Sequence, residues 1–118
     1  MTTDALEEEP TVALRKFSAE RDWDKFHTPK NLAMALMVEA AEIAEHFQWT
    51  DASDAQELSA EKRHEVALEI GDTLIYLLRL ADRLGIDMID AARAKMQINA
   101  TRYPVDKVFG RAVKYTEL

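Results

Sequence analysis

Between Pro29 and Phe47 the chain reads PKNLAMALMVEAAEIAEHF, a run with no interior glycine or proline and with apolar residues on almost every side of a helix. At about 100° per residue, Leu32, Ala35, Leu36 and Ile43 form one stripe, while Met34, Met37, Ala41 and Ala44 cover the opposite side. A helix that is apolar all round has to be covered all round. That demand restricts the chain more than any other segment. It calls for neighbouring helices, and a chain of 118 residues can hardly supply cover on every side. The expected fold is therefore all-α, an antiparallel four-helix bundle, assembled as a homo-oligomer with this helix near its centre. The supply of residues agrees: three Gly and three Pro leave little for hairpin turns, and abundant Ala, Leu, Glu, Lys and Arg favour long helices.

Helix punctuation sets the boundaries. Residues 1–9 read as a disordered acidic leader, and Pro10 suits the first turn of a helix to about Arg21. DWDKFHTPKNL breaks the pattern, and Thr28 before Pro29 caps a second helix that ends near Phe47. TDASDAQELS is a polar loop whose Ser59 caps a third helix to about Leu84, stopped at Gly85. Asp87 caps a fourth helix, which must finish near Arg102 because Pro104 follows. The helical domain spans 10–104, and 105–118 forms a C-terminal tail.

Charge and composition exclude several partners. A net charge of −7 argues against a nucleic acid polymer or an anionic membrane surface, both of which call for an excess of Lys and Arg. The lack of Cys removes disulfide frameworks and thiolate chemistry and fits a reducing compartment. No apolar run approaches the ~18 residues of a membrane span, and the acidic N-terminus is unlike a signal peptide. A cytoplasmic location is expected.

The apolar stripe of the second helix carries an anomaly. Glu39 lies in its middle, with Glu42 and His46 beside it. The third helix repeats the device in EVALEIGDTLIY, where Glu69 and Asp72 have the same three-residue spacing on a face shared with Val66, Thr73 and Leu80. Side chains three apart are neighbours on one helical face. Taken singly, such a pair is usually a solvated face. Two of them on the apolar sides of adjacent helices would repel, and burial of even one unpaired charge is expensive, so a cation between them is expected. Oxygen ligands without Cys suit a hard ion, and Mg²⁺ held by a few carboxylates completes its shell with water and phosphate. A carboxylate-bridged di-iron site would need Glu-x-x-His on two helices; Glu61 to His64 is the one instance here.

These residues resemble the all-α nucleoside triphosphate pyrophosphohydrolases of the MazG-like family, and within it the dCTP pyrophosphatase branch. The shared signature is Glu-x-x-Glu, a spacer, then Glu-x-x-Asp, here Glu39, Glu42, Glu69 and Asp72. FSAERDWDKFHTPKNL, EAAEIAEHFQW, EIGDTLIYLLRLA and KMQINATRYPV are similar to the branch's blocks in the same order, over about residues 14–105. The resemblance implies Mg²⁺-dependent hydrolysis of a nucleoside triphosphate to monophosphate and pyrophosphate, in nucleotide-pool housecleaning, with the four acids as catalytic metal ligands. It further implies phosphate and sugar contacts from Lys95, Asn99 and Arg102, which recur on one face of the fourth helix, with Tyr76 and Tyr103 as further candidates. Trp23 and Trp49 would wall the base pocket and His27 would line it; without the resemblance both tryptophans read as buried core anchors. Where some animal members carry His, this chain has Leu14, which leaves the base preference open between a dCTP-like substrate and another such as dUTP. Outside the enzyme class, the alternative is a non-catalytic nucleotide- or metal-binding module.

Overall fold

A computed structural model of the chain describes residues 8–50 and 58–118. Among them there are helices and no strands. Packing divides the chain into two compact units, Met1–Gly85 and Ile86–Leu118. The expected leader lies outside the described residues apart from Glu8 and Glu9, as does most of the polar loop expected after Thr50.

The first unit contains α1 (Pro10–Glu20), α2 (Pro29–Glu45) and α3 (Ala60–Arg83). Each starts where a side chain answers an orphan backbone N–H. The carboxylate of Glu9 accepts from the Val12 amide at 3.2 Å, the Thr28 hydroxyl from Asn31 at 3.2 Å, and the Ser59 hydroxyl from Lys62 at 3.1 Å. Gly85 follows α3 at φ 66°, a conformation that glycine adopts without strain and that ends the helix.

Between α1 and α2 the chain turns sharply, with Asp22 at φ 54°, one of the few non-glycine residue types that tolerates the left-handed region. The turn is stitched internally. The Trp23 amide donates to the Ser18 carbonyl at 3.0 Å, the Phe26 amide to the Trp23 carbonyl at 2.8 Å, and the Asn31 side chain donates to the Phe26 carbonyl at 3.0 Å. These bonds fix the backbone that carries Trp23 and His27.

α3 is the central element. It runs antiparallel to α2: Glu69 and Asp72 meet Glu39 near the middle, His46 lies 3.9 Å from Glu65 toward one end, and His27 reaches Arg79 toward the other. Leu32 is the deepest residue at 1% exposure, and Ala13, Val66 and Ala81 complete the buried apolar set. Small residues at Ala13 and Ala81 let helix backbones approach closely. Met34, Met37 and Val38 of α2 are 59–69% exposed, so much of that apolar helix is uncovered within the chain. None of the described helices is long and apolar enough to cross a membrane.

The second unit contains α4 (Met88–Arg102), a short α5 (Val105–Val108) and a 3₁₀ turn at Tyr115–Glu117. The Asp87 carboxylate caps α4 by accepting from the Asp90 amide at 3.0 Å. α4 ends at Arg102 because Tyr103 precedes Pro104, which disfavours helical backbone at the residue before it. The tail then folds back on the end of α4: the Tyr115 amide donates to the Tyr103 hydroxyl at 3.3 Å, the two rings meet edge to face at 6.0 Å, and the Arg102 guanidinium lies 4.4 Å from the Tyr115 ring centre.

Candidate active site

Glu39, Glu69 and Asp72 each contribute a carboxylate oxygen to a cluster in which these atoms lie within 4.8 Å of one another. Two helices make it, α2 with Glu39 and α3 with Glu69 and Asp72. The three-residue spacing turns both members of a pair to one face, and antiparallel packing brings the two faces together. Glu42 borders the cluster and acts on it electrostatically.

The cluster is electrostatically unbalanced. One oxygen of Glu39 and one of Glu69 are buried without any hydrogen-bond partner. Burial, followed by the charge and hydrogen bonding of Glu42 and then by Asp72 and Glu69, pushes the Glu39 carboxyl up to about 7. Glu69 is also raised, first by its hydrogen bond with Glu42 and then by burial. Their mutual repulsion and burial disfavour the ionised forms of Glu39 and Glu69.

That imbalance has a pH signature. A carboxyl raised in the folded state holds its proton where the unfolded chain has released it, so its contribution is full below the unfolded pKa of 4.5 and is lost as pH rises toward about 7. His27 has the opposite sign, since its lowered pKa favours the fold as pH rises to its ordinary 6.5. A comparison of variants cancels the His27 contribution. In chelator, the Tm advantage of Glu39→Gln over the native protein should grow between about pH 5 and about pH 8; scanning calorimetry checks it, and a pH-independent difference would contradict the assignment.

Glu39 and Asp72 also form part of the lining of a cavity of about 310 Å³ within the first unit. Its other walls are Ala13, Leu14, Phe17 and Ser18 of α1, Trp23 and His27 of the turn, and Ile75, Tyr76 and Arg79 of α3. Phe17 and Trp23 meet edge to face at 5.8 Å, and the Trp23 and His27 rings are 6.2 Å apart. The lining of this hollow therefore combines acidic and aromatic side chains.

Of the residues singled out in the sequence, Trp23, His27, Glu39, Asp72 and Tyr76 line this cavity, and Glu69 belongs to the adjoining cluster. Trp23 is 43% exposed and Trp49 is 87% exposed, so neither is a buried core anchor. Trp49 is not among the cavity-lining residues. Lys95, Asn99 and Arg102 occupy an exposed face of α4 in the second unit, with Tyr103 at its end. His46 closes α2; its Nδ1 is buried without a hydrogen bond, and 3.9 Å to Glu65 is too long for one.

Arg79 is the charged lining residue that the sequence does not mark as part of the site. It is 5% exposed and joins a network: Nη2 donates to Asp24 at 2.7 Å, Nη1 to Asp82 at 3.4 Å, and Nε to His27 Nδ1 at 3.2 Å. Asp82 also receives Arg15, whose Nε donates at 2.8 Å, and this pairing holds the Asp82 carboxyl below its usual range.

A sequence model of the MazG-like family matches residues 34–118, a span that includes all four acids. The chain belongs to the MazG-like family. The MazG-like assignment extends to individual relatives. The chain is 45% identical over 105 residues to dCTP pyrophosphatase 1 of Bos taurus and 46% identical over 105 residues to that of Homo sapiens. Each alignment covers 87% of this chain and 62% of the relative, so the chain spans less than two thirds of those proteins. It is also similar to a crystal structure of a pyrophosphatase from Archaeoglobus fulgidus, at 48% identity and a TM-score of 0.72, over 77% of this chain and 85% of that one.

Proposed function

We propose that this MazG-like chain hydrolyses a nucleoside triphosphate, dCTP or a modified dCTP foremost, to the monophosphate and pyrophosphate. The observation that carries the proposal is the cavity itself, whose lining combines the carboxylates of Glu39 and Asp72 with the rings of Phe17, Trp23 and Tyr76. A nucleotide calls for the same two chemistries, a stacking surface for its aromatic base and carboxylates for the divalent cations that travel with its phosphates. The activities named for the bovine and human relatives and for the Archaeoglobus protein support the reading.

The residues fit a hard divalent ion. Buried carboxylate oxygens without partners are the expected state of ligands deprived of a cation, and an all-oxygen donor set suits Mg²⁺. Glu39, Glu42, Glu69 and Asp72 would hold it. Bound there, Mg²⁺ would neutralise triphosphate charge and lower the pKa of an attacking water. The chain's own residues do the remainder. Trp23 offers an indole face for base stacking, worth about 1–3 kcal/mol. Tyr76 and His27 offer polar edges, and Leu14 and Ile75 add an aliphatic wall. The proposal retains Trp49 as a base contact, and Lys95, Asn99, Arg102 and Tyr103 as phosphate and sugar contacts.

A homo-oligomer belongs to the same reading. The exposed Met34, Met37 and Val38 on α2 form the kind of uncovered apolar surface that a second copy of the chain would bury. So does work in the cytoplasm on the nucleotide pool, consistent with a chain without Cys.

The test is product analysis. Incubated with Mg²⁺ and a panel of canonical and modified nucleoside triphosphates, the protein should release monophosphate and pyrophosphate in equal amounts, fastest from a cytosine nucleotide. Release of orthophosphate and a nucleoside diphosphate would refute the chemistry. Faster turnover of dUTP would refute the base preference alone.

A further inference from the structure

Arg79 has no part in the chemistry proposed above, yet it is the most buried charged residue among those described. Its Nε–H donates to Nδ1 of His27 at 3.2 Å. A guanidinium has donors only and keeps its protons at any pH a protein survives. Nδ1 must therefore present its lone pair, and in the neutral ring the proton sits on Nε2. Burial and the Arg79 charge both hold the His27 pKa below its ordinary value, which opposes a second proton. Asp24 pulls the other way, but its carboxylate is engaged by Arg79 Nη2 at 2.7 Å. Among the described residues, Nε2 has no hydrogen-bond partner, and His27 lines the cavity beside Trp23.

We infer that Arg79 is a positioning residue that locks His27 as a donor-only group, so that the part of the nucleotide it meets is a hydrogen-bond acceptor, a base carbonyl or an unprotonated ring nitrogen. A freely tautomerising histidine could accept from an exocyclic amino group equally well; this one cannot. Arg79 thus acts on specificity through His27. The identity of the acceptor rests on the proposed nucleotide substrate, whereas the tautomer does not.

The experiment uses full-length ¹⁵N-labelled protein without nucleotide. Long-range ¹⁵N–¹H correlation of the three His rings, with His27 identified by its loss in His27→Gln, should show a single Nε2–H tautomer near neutral pH. An Nδ1–H ring, a rapid mixture or an imidazolium at that pH would overturn the inference. Arg79→Lys keeps a positive charge beside Asp24 but has no Nε; it should give mixed His27 tautomers, and an unchanged ring spectrum in folded Arg79→Lys would remove Arg79 from the role. Kinetics supply the second arm on the best nucleotide from the product panel. His27→Phe removes the donor and should raise KM about tenfold, while His27→Gln, whose amide N–H can occupy the Nε2 position, should raise it about threefold or less. Equal KM values for the two variants would contradict the donor role. A native protein that turns over no nucleotide refutes the proposed function, and the ring spectrum still decides the His27 assignment.

Discussion

Asp72→Asn is expected to lower pyrophosphate release by about a hundredfold or more, with helical circular dichroism unchanged. The substitution is nearly isosteric and removes one charge from a cluster whose oxygens lie within 4.8 Å of one another. A divalent ion loses a ligand charge, and a water or a phosphate oxygen has to replace it. Glu42→Gln should behave alike, since Glu42 is the neighbour that most affects Glu69 and exerts the largest charge effect on Glu39. Stability should move the other way. In chelator both variants relieve repulsion among the acids, so Tm should stay level or rise while turnover collapses, the trade-off expected of a site built for a ligand. Steady-state turnover together with calorimetry checks both halves. Retained turnover in both variants would remove the acids from the reaction, and a fall in Tm in chelator would show that the cluster is stabilised by contacts of its own.

Arg79→Met is expected to destabilise the first unit by about 2–4 kcal/mol, a loss of about 10 °C or more in Tm. The side chain is 5% exposed and serves Asp24, Asp82 and His27 together. A hydrophobic replacement for a whole buried ion pair can be neutral, but removal of one member leaves its partners short. Asp24 is 49% exposed and returns to water at little expense; Asp82 is 13% exposed and keeps only Arg15. Arg15→Ala, at the 59% exposed end of the same network, should cost less than about 1 kcal/mol, because an exposed member is readily replaced by water. Urea unfolding of the two variants separates these magnitudes. Equal losses would mean that burial of Arg79 contributes nothing beyond a surface pair.

Local signals made much of this molecule legible in advance. Thr28, Ser59 and Asp87 cap helices because a short polar side chain before an apolar run has one good use, and that is visible without any fold. The acidic pairs were visible because a carboxylate in an apolar stripe contradicts the period around it. Arg79 was not visible. In LIYLLRLADR an arginine reads as the solvent edge of an amphipathic helix, and its burial depends on Asp24 and His27, 55 and 52 residues away in sequence. The cavity was half legible for the same reason: Trp23 and His27 stand out by type, whereas Ala13 and Ser18 line it only because α1 packs against α3. Trp49 shows the converse. A residue type that suits a base pocket says nothing about where the chain carries it, and at 87% exposure Trp49 is surface in this chain taken alone.

Glu39, Glu42, Glu69 and Asp72 should together bind a divalent cation. Mn²⁺ is a spectroscopic substitute for Mg²⁺ at oxygen sites, and its free form gives a sharp electron paramagnetic resonance signal that binding removes. Titrated into the nucleotide-free protein at neutral pH, Mn²⁺ should lose that signal saturably, excess Mg²⁺ should restore it, and Asp72→Asn should weaken the binding by about tenfold or more. A native protein that leaves the free Mn²⁺ signal intact, or that binds Mn²⁺ as well after Asp72→Asn, would contradict the claim.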